Sequence, residues 1–204
     1  MVSGLTREAV SSFRSLTRAT RDKDRERCGL CAATVPDEHR HLLDGESSEL
    51  VCACPACFLL FGFGTGSRLK QVPDQILRRS DLVIGNDDWD AMGIPIGLAF
   101  IYRRSQPEQL AVVYPSPGGA MPSLIPTKSW EGLPIGIAAG GLRSDVEGLL
   151  VNRIGKSREI FQVPIDVCYR LIGLIRVHWR GLAGGPNVWT RVNEFFEELA
   201  RRVG

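Results

Sequence analysis

The chain has 204 residues, 44% of them hydrophobic and 24% charged, which is ordinary globular composition and excludes a largely disordered or fibrous protein. Its 25 Lys and Arg nearly balance 23 Asp and Glu, for a formal net charge of +2, so the strongly basic footprint of a nucleic-acid binder is missing. No apolar run is long enough to cross a bilayer, and the polar, Arg/Ser-rich opening from Met1 to Thr20 has no secretory h-region, so a cytoplasmic protein is expected.

The first predicted element is a helix over Leu5 to Arg27, with Thr6 as N-cap and Val10, Phe13 and Leu16 at helical spacing. Acids interleave the bases in its closing run, Arg21 to Arg27, which reads as a solvated face rather than a nucleic-acid arm.

Five of the six cysteines then crowd between Cys28 and Cys57. Clustered pairs of thiols in a composition of this kind read as metal binding, whereas disulfide scaffolds spread their bridges along the chain. Two knuckles are present, Cys28-Gly-Leu-Cys31 and Cys54-Pro-Ala-Cys57, separated by about twenty residues, which is the spacing of closed four-thiolate sites. Two residues between cysteines bend the backbone around one ion, and zinc accepts four thiolates tetrahedrally.

Between the knuckles, His39 to Leu43 reads as a strand, Asp44 to Ser48 as a turn and Glu49 to Ala53 as a returning strand. Pro55 suits the first turn of a short apolar helix that runs to Gly62. Knuckle, hairpin, knuckle and helix in that order suggest a treble-clef or zinc-ribbon-like module, with the second thiol pair at a helix N-terminus.

Cys28, Cys31, Cys54 and Cys57 are therefore the expected metal ligands. Cys52, His39 and His41 rank below them: Cys52 reads as a small buried residue on the incoming strand, and the two histidines flanking Arg40 point one way together, toward a supporting or surface role. Rubredoxin-like iron uses the same four thiolates and is the alternative to zinc. Ala32 and Phe58 stand where rubredoxin knuckles usually carry glycine, which argues for poorer amide access to sulfur and hence for zinc.

Gly62 to Ser67 reads as a loop, and its glycines follow an apolar helix rather than a strand, so they are not a phosphate cradle. Beyond it, Leu98 to Arg103 and Gln109 to Tyr114 form a predicted hairpin around Ser105 to Glu108. Asp87, Asp88 and Asp90 around Trp89 read as an acidic helix start.

Pro134 to Gly141 yields no assignment, and Val146 to Ile154 fits either a strand or a short helix. Glu159 to Val163 reads as a strand, Pro164 opens a helix that runs to Trp179, and Asn187 is the expected N-cap of a last helix to Val203. Cys168 is expected to be buried and inert, and His178 to be an ordinary helix-end residue.

The fold expected is α+β: an N-terminal helix over 1–27, a four-cysteine module over 28–66, and over 67–204 an antiparallel sheet packed with C-terminal helices. No hydrolytic or phosphate-binding constellation is present, so no catalytic residue is assigned.

The chain also resembles a bacterial family of unknown function whose genes often lie beside those of nickel-iron hydrogenases. The resemblance rests on Cys28 to Cys31, Glu38 to Asp44, Val51 to Cys57, Ile94 to Phe100, Tyr114 to Pro117 and Tyr169 to Arg176. It implies no reaction. What it implies is a genomic setting, and with it a protein partner such as a hydrogenase or its maturation machinery, for a non-enzymatic accessory protein; the alternative is an iron electron carrier serving such a partner.

Overall fold

The structure is a computed structural model and describes residues 26–62, 68–123, 126–181 and 184–203. The expected helix over Leu5 to Arg27 and the loop from Gly62 to Ser67 fall almost wholly outside these residues. The chain divides into two compact units, Met1–Gln71 and Val72–Gly204.

In the first unit, strands β1 (Arg40–Asp44) and β2 (Leu50–Ala53) form the antiparallel hairpin, and β3 (Leu69–Gln71) adds to the other edge of β1 in the order β2-β1-β3. Helix α1 (Pro55–Gly62) follows β2. Leu42, Ala53 and Phe58 bury together, with Val51 and Leu69 against them, so one face of this small sheet meets one side of α1. Asp44 holds the hairpin turn: its Oδ1 accepts the Glu46 amide at 2.9 Å, and both its oxygens accept from the Arg68 guanidinium at 2.6–2.9 Å. That ion pair, with the Glu46 amide, holds the Asp44 carboxyl at about 2, below the usual carboxylate range.

The second unit is built on a six-stranded antiparallel sheet in the order β4-β9-β8-β5-β6-β7. The strands are β4 (Leu77–Arg78), β5 (Leu98–Ser105), β6 (Glu108–Ser116), β7 (Gly119–Pro122), β8 (Glu147–Asn152) and β9 (Glu159–Pro164). Its helices are α2 (Asn86–Ala91), α3 (Pro134–Gly140), α4 (Ile165–His178) and α5 (Gly185–Val203).

Every residue of the central strand β8 is buried, because both faces of the sheet are covered. On one face Ala99, Ile101, Leu149, Val151 and Ile160 pack with Trp89, Trp130 and the α3 residues Ile135 and Ala139. On the other, a Cβ at Gly148 would meet the Cys168 sulfur of α4 at 3.4 Å, and Phe161 lies 6.1 Å from Phe196 of α5. The result is a mixed α+β fold in which the C-terminal helices pack on an antiparallel sheet.

Double-sided burial explains the ambiguity of Val146 to Ile154: a strand covered on both faces has no polar alternation to announce it. The stretch left without assignment, Pro134 to Gly141, is helix α3 with Pro134 in its first turn. The last helix begins at Gly185, so Asn187 lies inside its first turn and is not the cap; Pro186, with φ preset for a helix, starts it instead. Cys168 is wholly buried, and burial raises its thiol pKa far above the ordinary value, as expected of an inert residue.

Leu149 is fully buried at the centre of the sheet. Leu149→Ala is expected to lower the unfolding free energy by about 2–5 kcal/mol in chemical denaturation, whereas an exposed-position control such as Val83→Ala should shift it by under about 0.5 kcal/mol.

Candidate metal centre

The four knuckle cysteines come together from two different local structures. In the first knuckle, the Ala32 amide donates to the Cys28 carbonyl at 2.8 Å and the Cys28 amide to the Ala33 carbonyl at 2.8 Å, closing a tight loop. The Gly29 amide donates to the Cys52 carbonyl at 2.8 Å and so fastens this loop to β2. Gly29 is needed there, since a Cβ would stand 2.7 Å from Val51 Cγ1. The second knuckle is the entry of α1: Pro55 opens the helix, and the Phe58 amide donates to the Cys54 carbonyl at 2.9 Å.

The sulfurs of Cys28, Cys31, Cys54 and Cys57 all lie within 4.8 Å of one another. Cys31 and Cys54 are 3.7 Å apart, close to the roughly 3.8 Å edge of a tetrahedron with 2.3 Å metal–sulfur bonds and far from the roughly 2.05 Å of a disulfide. All four thiols are free. Cys28 and Cys57 are buried beside Val35, Cys54 packs half-buried against them, and Cys31 faces outward.

Their proton affinities diverge. Burial works against the Cys28 thiolate, but amides of Cys54, Leu30 and Cys31 hydrogen-bond to its sulfur and bring the pKa down to about 6. Burial, and then the neighbouring sulfurs, push Cys57 up to about 12. At Cys31 the Ala33 amide favours the thiolate, yet the adjoining sulfurs, Cys28 first, raise the pKa overall. Four thiolates this close repel one another, and a cation at their centre removes the conflict. The donor set therefore fits a zinc-like ion with thiolate ligands.

Ala32 does not deny the first knuckle amide access to sulfur. Ala32 adopts φ +61, the left-handed conformation in which glycine is usual, and the Ala33 amide does reach the Cys31 sulfur. Amide access at the first knuckle is thus achieved without glycine, at some cost in backbone strain.

The lower-ranked candidates, Cys52, His39 and His41, are not part of the four-sulfur group; their donor atoms gather into a group of their own. Burial, followed by the charges of Glu26 and Cys28, raises the Cys52 pKa. Cys52, expected as a small buried residue, is half-buried and lies opposite His41 in the strand register. His178 ends α4 and joins neither group.

A family model described as a family of unknown function, DUF5947, matches residues 27–203. The chain belongs to this family. The match takes in both cysteine knuckles and all but the last residue of the α+β unit. No curated protein and no solved structure matches the chain.

Ala32→Gly relieves the positive φ and is expected to stabilise the metal-loaded protein by about 1 kcal/mol. Thermal unfolding of the two loaded proteins side by side checks this; an unchanged or lower midpoint would mean that the knuckle is not strained at this residue.

Proposed function

We propose that this chain is a non-enzymatic accessory protein in which zinc, held by Cys28, Cys31, Cys54 and Cys57, fixes helix α1 as a contact face for a protein partner. The observation that carries this reading is the pairing of a closed four-sulfur group with an apolar surface on the helix it anchors. Leu59, Leu60 and Phe61 are 61%, 75% and 47% exposed, although they directly follow the buried Cys57 and Phe58.

Contiguous exposed apolar side chains on a short helix favour protein contact, and the helix has no basic or amide side chain with which to read bases. A closed set of four thiolates leaves no position for substrate, which favours a structural over a catalytic role. Among the described residues no helix is long and apolar enough to cross a membrane. In this reading residues 28–66 form the metal module and 67–204 the α+β body, and the protein works in the cytoplasm.

The partner we favour is a nickel-iron hydrogenase or its maturation machinery, on the strength of the sequence resemblance to proteins encoded beside such enzymes. The iron alternative, an electron carrier of rubredoxin type, draws support from the amide contacts to the Cys28 and Cys31 sulfurs, which also suit an iron-thiolate centre.

Elemental analysis with a visible spectrum separates the two metals. The protein should be colourless and contain zinc, and Cys28→Ser or Cys57→Ser should lower the zinc content by one per chain; iron with thiolate charge-transfer bands would overturn the zinc reading. The contact face has its own test. Leu59→Glu combined with Leu60→Glu should keep the metal and abolish co-purification with hydrogenase proteins from the native host, and unchanged co-purification would contradict it.

A further inference from the structure

The β1/β2 hairpin assembles a second set of metal-ligating side chains apart from the four knuckle cysteines. His41 and Cys52 are directly opposed in the strand register. His39, two residues ahead of His41, places its ring 4.7 Å from the His41 ring, centroid to centroid. One nitrogen from each histidine and the Cys52 sulfur all lie within 4.8 Å of one another.

His39 is the deciding residue. Its side chain is only 4% exposed. Its Nδ1 is 2.9 Å from the Pro36 carbonyl oxygen, which can only accept, so Nδ1 carries a proton and donates. The Glu26 carboxylate lies 3.6 Å from the same nitrogen and favours the same tautomer. The Nε2 lone pair is then buried and, among the described residues, without a hydrogen-bond partner.

Leaving a buried polar atom unsatisfied is costly, and protonating the ring would only exchange an orphaned lone pair for an orphaned N–H. A histidine whose one ring nitrogen is held by a backbone carbonyl while the other is left open is the arrangement by which proteins orient imidazole toward a metal.

We propose that His39, His41 and Cys52 form a second metal site, a three-ligand centre for a borderline divalent transition-metal ion such as zinc, cobalt(II) or nickel(II). Two imidazoles and one thiolate suit ions of this class better than magnesium or calcium. Bonds of roughly 2.0–2.3 Å at a tetrahedral ion put neighbouring donors roughly 3.3–3.6 Å apart, so donors already within 4.8 Å of one another need approach by no more than about 1.5 Å to close the site. Three protein ligands leave the fourth position for water or an incoming donor, which distinguishes this centre from the closed one made of four cysteines.

The test is a cobalt(II) titration of the full-length, chelator-stripped protein under reducing conditions, followed by visible absorption and elemental analysis. The wild type should take up two equivalents per chain. His39→Ala, His41→Ala and Cys52→Ala should each take up one, with the intense charge-transfer bands of the four-thiolate centre intact as proof that the module still folds. Cys28→Ser combined with Cys57→Ser removes those bands and reports on the first centre separately.

Saturation of the wild type at one equivalent, with four-thiolate bands present, overturns this second site and leaves the four-cysteine reading standing. Two equivalents in the wild type and still two in His39→Ala and Cys52→Ala also overturn it, because the extra ion would then lie elsewhere.

Discussion

Four sulfurs held within 4.8 Å of one another are the constraint on which the N-terminal unit depends. Such a cluster is a poor arrangement for a protein without a cation: as thiolates the sulfurs repel, and as thiols they place four weak donors where backbone amides are already offered to sulfur. A single divalent ion bound there would turn the same geometry into a crosslink. It would join the loop at Cys28 and Cys31 to the start of α1 at Cys54 and Cys57, and the hairpin lies between the two attachment points.

Such an ion would do for the small unit what hydrophobic burial does for the large one. In the unit from Val72 onward, a sheet covered on both faces supplies a core containing Trp130, Leu149, Leu150 and Phe161, all almost fully buried. Among its described residues, the N-terminal unit buries a short cluster around Leu42, Ala53 and Phe58 and another around Cys28, Val35 and Cys57. Cores of that size rarely hold a fold unaided, which is why small modules recruit metals. Held at its first turn and through Phe58 on the sheet, α1 presents Leu59 and Leu60 outward.

Much of this was legible in the sequence. The knuckle spacing named the four cysteines, Pro55 marked the start of α1, and the β-rich runs Leu98 to Arg103 and Gln109 to Tyr114 around Ser105 to Glu108 marked the β5/β6 hairpin. What was hidden has physical causes. Ala32 is in a conformation that residue type does not announce, because closure of the loop around Cys28 imposes it. The gathering of His39, His41 and Cys52 depends on the register that places His41 opposite Cys52, and register is a property of two strands rather than of either one. Strands β4 and β7 are short edge strands defined by their partners β9 and β6, so neither carries a pattern of its own.

Amide hydrogen exchange on the full-length protein, with its native metal and after chelation, tests most directly whether a cation organises the N-terminal unit. Removing the metal should collapse protection of the described amides between Cys28 and Gly62 while the strands β5, β8 and β9 keep theirs. Equal protection of the Cys28 to Gly62 segment with and without metal would contradict the account.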